Sequence, residues 1–402
     1  MRSSLKSVFS SRLSLALAAL SLAAPAALAD GPGLPPITFP ASDLYNTLFA
    51  LDASVGAPRG HGFATLHRGY LVVICANDQG GGKGSGALSL FDISNPRAAV
   101  NTFTTHNNPS YASTTSHFAG NLREAHSLAF WGDYMAVTSS SNTANNREVG
   151  IQIWDMSNLD KPAGVAANAW FGPRKVAKVD FPGVPGGDYT DAPWSLTWNG
   201  RYLYVAVPGK GLYIVDTANI NSPVLANRGP GKANPVPFTQ ISGSRNGMHQ
   251  IVSLGNSIVQ GRNNFTTIDA ADPLNPVLLY EDTIKPGYSV QRYGDKAFGF
   301  GGETDGDELI TYNITNPANP QKLAATNLIG PGTDKISGAY GIVQDGILYA
   351  GGGSQIFRAD ISGNPPYNLS FIKPVRPAPR QRDFNLFKDS DWDFLSPIGN
   401  IG

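Results

Sequence analysis

The chain has 402 residues, with 30 basic and 30 acidic side chains, so no cationic excess is present to attract nucleic acid. A single cysteine excludes an internal disulfide. A hydrophobic content of 41% beside 45 glycines and 30 prolines excludes a disordered chain and points to many short strands joined by tight turns.

The first 29 residues read as a secretory signal peptide: Arg2, Lys6 and Arg12 precede an apolar run, and Ala27-Leu28-Ala29 supplies a small-residue cleavage pattern. Cleavage is expected after Ala29, which leaves the mature chain slightly acidic. Ser14, Ser21 and Pro25 interrupt the run and argue against a retained membrane helix, and no later segment is apolar for long enough to span a bilayer. Cys75 lies far from the cut, where a lipid anchor would need it. The expected location is therefore outside the cytoplasm: secreted, periplasmic or at the cell surface. Residues 30–42 read as a linker and 43–402 as one domain.

Two patterns then alternate along the chain. In the first, a strand opens at Phe63, His126, Trp194, His249, Tyr288, Tyr340 or Asp393, and a turn glycine follows six residues later, at Gly69, Gly132, Gly200, Gly255, Gly294, Gly346 or Gly399. Glycine beside Asn or Asp suits a two-residue hairpin, whose central positions need positive φ. In the second, a short apolar strand ends in Asp or Asn and a proline turn follows. The copies are LSLFD at 88–92, IQIWD at 151–155, LYIVD at 212–216, FTTID at 265–269, LITYN at 309–313 and QIFRAD at 355–360. An Asp or Asn side chain accepts backbone N–H bonds at a strand end, and proline stops the strand from continuing.

Together the patterns predict an all-β fold, a β-propeller of four-stranded antiparallel blades. Such a blade cannot bury both faces alone and must stack about an axis. Seven strand openings favour seven blades, with six as the alternative count. The last copy stops at Gly399-Asn400-Ile401-Gly402, just past its turn. Segment 43–52 is expected to close that blade as a borrowed strand, and a natural chain continuing past Gly402 would account for the rest.

The phrases ALSLFDISNPR (87–97), GLYIVDTANINSP (211–223) and ELITYNITNPANP (308–320) resemble the LVIVD repeat, a propeller-forming family of mostly exported or surface proteins. The resemblance spans residues 60 to 400 and implies the propeller fold. It implies no activity, because the family offers no single catalytic motif to carry over.

In such a blade the connections from second to third strand, and from fourth strand to the next blade, leave at one end. Long loops at 79–86, 106–123, 139–150 and 171–193 are expected there, and the short glycine and Asp-Pro turns at the other end. Long loops on a rigid scaffold are where binding concentrates, so the loop-rich face is the candidate functional face. The strand openings should ring the channel mouth on that face. His126, Trp194, His249, Tyr288, Tyr340 and Asp393 are the candidate ligand-binding residues, with Trp194, Tyr288 and Tyr340 stacking on a sugar or aromatic group. The blander account, that these side chains simply plug the channel, carries more weight. Two histidines on separate blades do not make a metal site, even with His106 and His117 nearby, so no catalytic residue, metal ligand or cofactor is assigned.

Other motifs are weaker. DGDE at 305–308 and DSDWD at 389–393 lack the spacing of a calcium loop and read as solvated turns. GGGKGSG at 80–86 lacks the Lys-Ser or Lys-Thr ending of a phosphate loop. Asn264 and Asn313 fit a glycan acceptor pattern but fall in strands. The expectation is a monomeric, non-catalytic binding scaffold that engages a protein or glycan through its loop-rich face. The alternative is a carbohydrate-active or other hydrolase or lyase with His126 and His249 as acid and base; a calcium-stabilised surface module is a third reading.

Overall fold

The computed structural model describes residues 62–75, 87–92, 94, 100–105, 125, 127–143, 146–185, 193–238, 250–261, 264–282, 290–300, 308–327, 340–344, 346–352 and 355–372. All of these lie in Asp43–Gly402, the second of the two units into which the chain divides. They form six four-stranded antiparallel sheets, each a simple meander in chain order. Sheet one holds β1 (Gly62–His67), β2 (Tyr70–Cys75), β3 (Ala87–Asp92) and β4 (Val100–Thr104). Sheet two holds β5 (Leu128–Trp131), β6 (Tyr134–Thr143), β7 (Asn146–Asp155) and β8 (Arg174–Asp180). Sheet three holds β9 (Ser195–Asn199), β10 (Tyr202–Val207), β11 (Gly211–Asp216) and β12 (Val224–Leu225). Sheet four holds β13 (Gln250–Leu254), β14 (Ser257–Gly261), β15 (Phe265–Asp269) and β16 (Val277–Asp282). Sheet five holds β17 (Val290–Tyr293), β18 (Lys296–Phe300), β19 (Glu308–Asn313) and β20 (Gln321–Asn327), and sheet six β21 (Tyr340–Gln344), β22 (Ile347–Gly352), β23 (Gln355–Asp360) and β24 (Leu369–Ile372).

The two sequence patterns fold into one interlocked device. At the end of each third strand the acidic or amide side chain accepts the backbone N–H two residues on: Asp155 from Ser157 at 3.0 Å, Asp216 from Ala218 at 2.9 Å, Asp269 from Ala271 at 2.8 Å. The residue between them donates its own N–H to the hairpin turn of the first two strands. Met156 bonds the Asp133 carbonyl at 2.8 Å, Thr217 that of Arg201 at 3.0 Å, Ala270 that of Asn256 at 2.7 Å and Ile314 that of Asp295 at 2.7 Å. In sheets two to six the third strand is thus stopped and tied to the hairpin beside it, which fixes the register of the meander. The hairpin glycines adopt the positive φ the turn needs, 58° at both Gly132 and Gly200.

Successive sheets pack face to face. Leu90 and Phe103 of sheet one meet Leu128 and Met135 of sheet two, and Ile153 and Phe181 of the second meet Leu196 and Tyr213 of the third. Tyr204 and Ile214 then meet Ile251 and Ile268, Phe265 meets Val290 and Tyr312, and Phe298 meets Leu348 and Ala359. Parallel ring stacks, Phe181 on Tyr213 at 4.2 Å and Phe265 on Tyr312 at 4.0 Å, fill two of these junctions. The first strands β5, β9, β13, β17 and β21 run side by side in that order. Sheets stacked in sequence around a line of first strands are the blades of a β-propeller. The seventh blade expected near Asp393, and the closing strand expected at 43–52, lie outside the described residues.

Two expected loops are partly strand. Residues 139–150 belong to a long hairpin in which β6 and β7 stay in register from Tyr134↔Asp155 out to Thr143↔Asn146. The Ser, Thr and Asn run there reads as loop because it is polar, but a ladder needs only backbone bonds and accepts such residues where no apolar face is required. Residues 171–193 contain β8, the fourth strand of sheet two. An insertion with a 3-10 turn at Ala167–Ala169 separates it from β7, so the connection on the hairpin-turn face is long in this blade. The insertion is anchored by Trp170, which meets Phe103 edge-on at 6.1 Å.

Candidate binding site at the strand openings

Of the six candidate residues, Trp194 and Tyr340 lie among the described positions; His126, His249, Tyr288 and Asp393 lie outside them. Trp194 immediately precedes β9, is 9% exposed, and donates its backbone N–H to the Ala206 carbonyl at 3.0 Å. Tyr340 opens β21, where its backbone pairs with Gly351. Sheets four and five stand between these two residues in the run of first strands.

Just inside the openings lies a set of polar side chains that joins neighbouring blades. The first strand of a blade is an edge strand, and every second N–H and C=O along it faces the channel with no strand to pair with. Here the neighbouring blade supplies the partners. The Ser195 hydroxyl accepts the Ile251 N–H at 3.0 Å, the Thr197 hydroxyl accepts the Ser253 N–H at 3.2 Å, and Gln250 Oε1 accepts the Val290 N–H at 3.0 Å. The Ser253 hydroxyl donates to the Trp198 carbonyl. Its one proton is then spent, so the Thr197 hydroxyl, 2.8 Å away, must donate to Ser253 Oγ. The Trp198 indole N–H in turn bonds the Ala129 carbonyl of sheet two at 3.2 Å. Ser195, Thr197, Gln250 and Ser253 are all buried. The sequence signal for this ladder is polar residues set into otherwise apolar first strands, two positions apart in SLTWN and three apart in QIVSL.

Burial shifts the ionisable groups between blades towards their uncharged forms. Burial pushes Tyr204 and Tyr367 up to about 12 and raises Tyr312 as well, while it lowers Arg292 to about 10. The described histidine, His67, lies at the hairpin-turn end of β1, stacked on Phe130 with centroids 3.9 Å apart. Burial lowers its pKa, the Arg68 cation adds to the effect, and Asp133 opposes it. Among the described residues no group of three or more His, Cys, Asp or Glu side chains is placed to hold a metal ion. No helix among them is long and apolar enough to cross a membrane.

The sequence profile of the LVIVD repeat matches residues 193–228, which run from Trp194 through all four strands of sheet three. No curated protein matches the sequence. Similar solved structures include the β-propeller domain of Cps50 (Swd1) from Myceliophteria thermophila, at 11% identity over 79% of this chain and 88% of that one, with a TM-score of 0.49. The periplasmic gluconolactonase PpgL of Pseudomonas aeruginosa is similar at 14% identity over 76% and 82%, with a TM-score of 0.46. The computationally designed Ika8 protein is similar at 10% identity over 80% and 79%, with a TM-score of 0.42.

Proposed function

We propose that this β-propeller is an exported, non-catalytic scaffold that holds a protein or glycan partner on its loop-rich face. The observation that carries the reading is the direction of the strands. Every hairpin joining first to second strand turns at one end, so the connections 76–86, 106–124, 239–249, 283–289, 301–307 and 328–339 all leave at the other. A rigid stack presenting variable connections on one side is the arrangement binding proteins use. Ser195, Thr197 and Gln250, polar side chains described in the first strands, already serve blade-to-blade bonds, which favours a wall over a reaction centre. The signal-peptide pattern of residues 1–29 supports export.

The test replaces 76–86 and 106–124 with Gly-Ser segments of equal length and compares binding to glycan and peptide arrays. The expected result is loss of the bound partner with an unchanged melting temperature. Binding that survives both replacements, or turnover of a chromogenic glycoside that disappears in His126→Ala, would overturn the reading.

A further inference from the structure

The hairpin-turn end of the blades carries a surface of its own. Of the eight large apolar side chains exposed among the described residues, six (Val100, Trp131, Val224, Leu254, Val277 and Tyr293) occupy the last register position of a strand at that end. In sheet two the last row reads Trp131, Tyr134, Asp155, Arg174, each directly opposite the next across β5, β6, β7 and β8. Directly opposed residues project from the same face of a sheet, and here the row spans three strand spacings, about 14 Å. That face looks towards sheet three, where the Trp131 ring lies 6.2 Å from Trp198 at a 36° tilt. Trp131 nevertheless stays 50% exposed. Arg174 closes the row with a bond from Nη2 to Asp155 Oδ2 at 3.2 Å and a longer one from Nε at 3.4 Å. The side chains of Arg174 and Asp155 are 67% and 16% exposed. In the other complete rows the fourth position is Val100, Val224, Val277 or Gln321; sheet three pairs Arg201 from its turn with Asp216 over Tyr202, but there Asn199 stands where sheet two has Trp131.

A blade-to-blade clamp uses one side of an indole and does not require the rest to stay wet. An exposed aromatic face attracts the weakly positive C–H groups on one face of a pyranose ring. A carboxylate and a guanidinium side by side match the acceptor and donor needs of neighbouring sugar hydroxyls. An apolar peptide side chain on the same row would instead strip water from the Asp155–Arg174 pair with no return. We propose that this row is a saccharide-binding shelf, in which one pyranose stacks on Trp131 and the sugar's hydroxyls reach across Tyr134 to Asp155 and Arg174. It lies at the opposite end of the blades from the loop-rich face and stands or falls independently of that reading.

The test is affinity electrophoresis and calorimetric titration of the whole mature chain against cellohexaose, chitohexaose, mannohexaose and xylohexaose. At least one probe should bind. Trp131→Ala should weaken it by about tenfold or more, Arg174→Ala by several-fold, and Trp131→Phe, which keeps a ring, by less than Trp131→Ala. Leu254→Ala, at the same row position in sheet four, should leave it unchanged. Thermal melts of each variant separate lost binding from lost fold, with Trp131→Phe and Arg174→Ala as the informative pair if Trp131→Ala unfolds. The proposal is overturned if no probe binds, if binding survives in Trp131→Ala, or if it vanishes only when 76–86 and 106–124 are replaced. It is equally overturned if a peptide array, and no saccharide, reports on Trp131.

Discussion

At the scale of single residues, the stability of this protein turns on where each buried hydroxyl goes. Thr197 and Thr311 are both buried threonines, yet the first caps the Ser253 N–H and the second has its Oγ1 without a partner among the described residues. Thr197→Val should leave a buried donor bare and cost about 1–3 kcal/mol in urea denaturation, whereas Thr311→Val removes an unsatisfied oxygen and should be neutral or stabilising. Equal effects in the two variants would show that the ladder adds nothing. His67 supplies a pH test. Its folded pKa lies below the ordinary value of 6.5, so as pH falls the unfolded chain takes up the proton first. Its contribution is full above 6.5, is lost as pH drops from there through the folded value, and is constant below that. Urea midpoints measured from neutral pH to about pH 5 should fall more steeply for the parent protein than for His67→Phe.

At the scale of elements, glycine positions separate two kinds of constraint. Gly209 (φ +73°) stands in open space, while Gly211 (φ +127°) lies where an added Cβ would sit 2.2 Å from the Val236 carbonyl oxygen. That carbonyl accepts the Leu212 N–H at 3.1 Å, and Val236 returns the bond at 2.8 Å, so the segment re-entering beside β11 depends on the close approach. Gly209→Ala should cost about 1–2 kcal/mol from backbone strain alone. Gly211→Ala should cost distinctly more, because the re-entrant segment must move as well; denaturation midpoints of the two variants decide it. Elements whose sequence carries a stop signal were legible: each Asp or Asn terminus and each hairpin glycine from Gly69 to Gly346 falls where the repeat placed it. What escaped had no such mark. The outer half of the β6–β7 hairpin is polar on both strands apart from Val149, and β8 is displaced from its Asp155 turn by an insertion that no periodicity announces. At the site, Trp194 and Tyr340 could be placed at strand openings from the repeat alone. The Ser195–Thr197–Gln250 ladder could not, because its meaning depends on which blade stands next door.

At the scale of the whole propeller, no internal disulfide is available, and among the described residues five consecutive blade junctions carry the load instead. Fully burying one large side chain such as Phe181 or Phe265 contributes about 1.5–3 kcal/mol, so each junction holds several such increments. The same layout separates the two proposed surfaces, with the connections 76–86 and 106–124 at one end of the strands and the Trp131 row at the other. Replacing connections at the first end should therefore leave saccharide binding at the second unchanged, a comparison the two sets of variants allow directly.

The N–H caps along the channel also have a polarity. At the two junctions where these caps are described, the accepting side chain belongs to the earlier blade: Ser195 and Thr197 receive β13, and Gln250 receives β17. Since a polypeptide leaves the ribosome amino end first, each finished blade already displays the acceptors its successor will need, and a latecomer finds a prepared berth instead of a raw edge open to strangers. Assembly in the reverse order would leave the later blades' amide edges bare while they waited, inviting them to pair with the wrong chain.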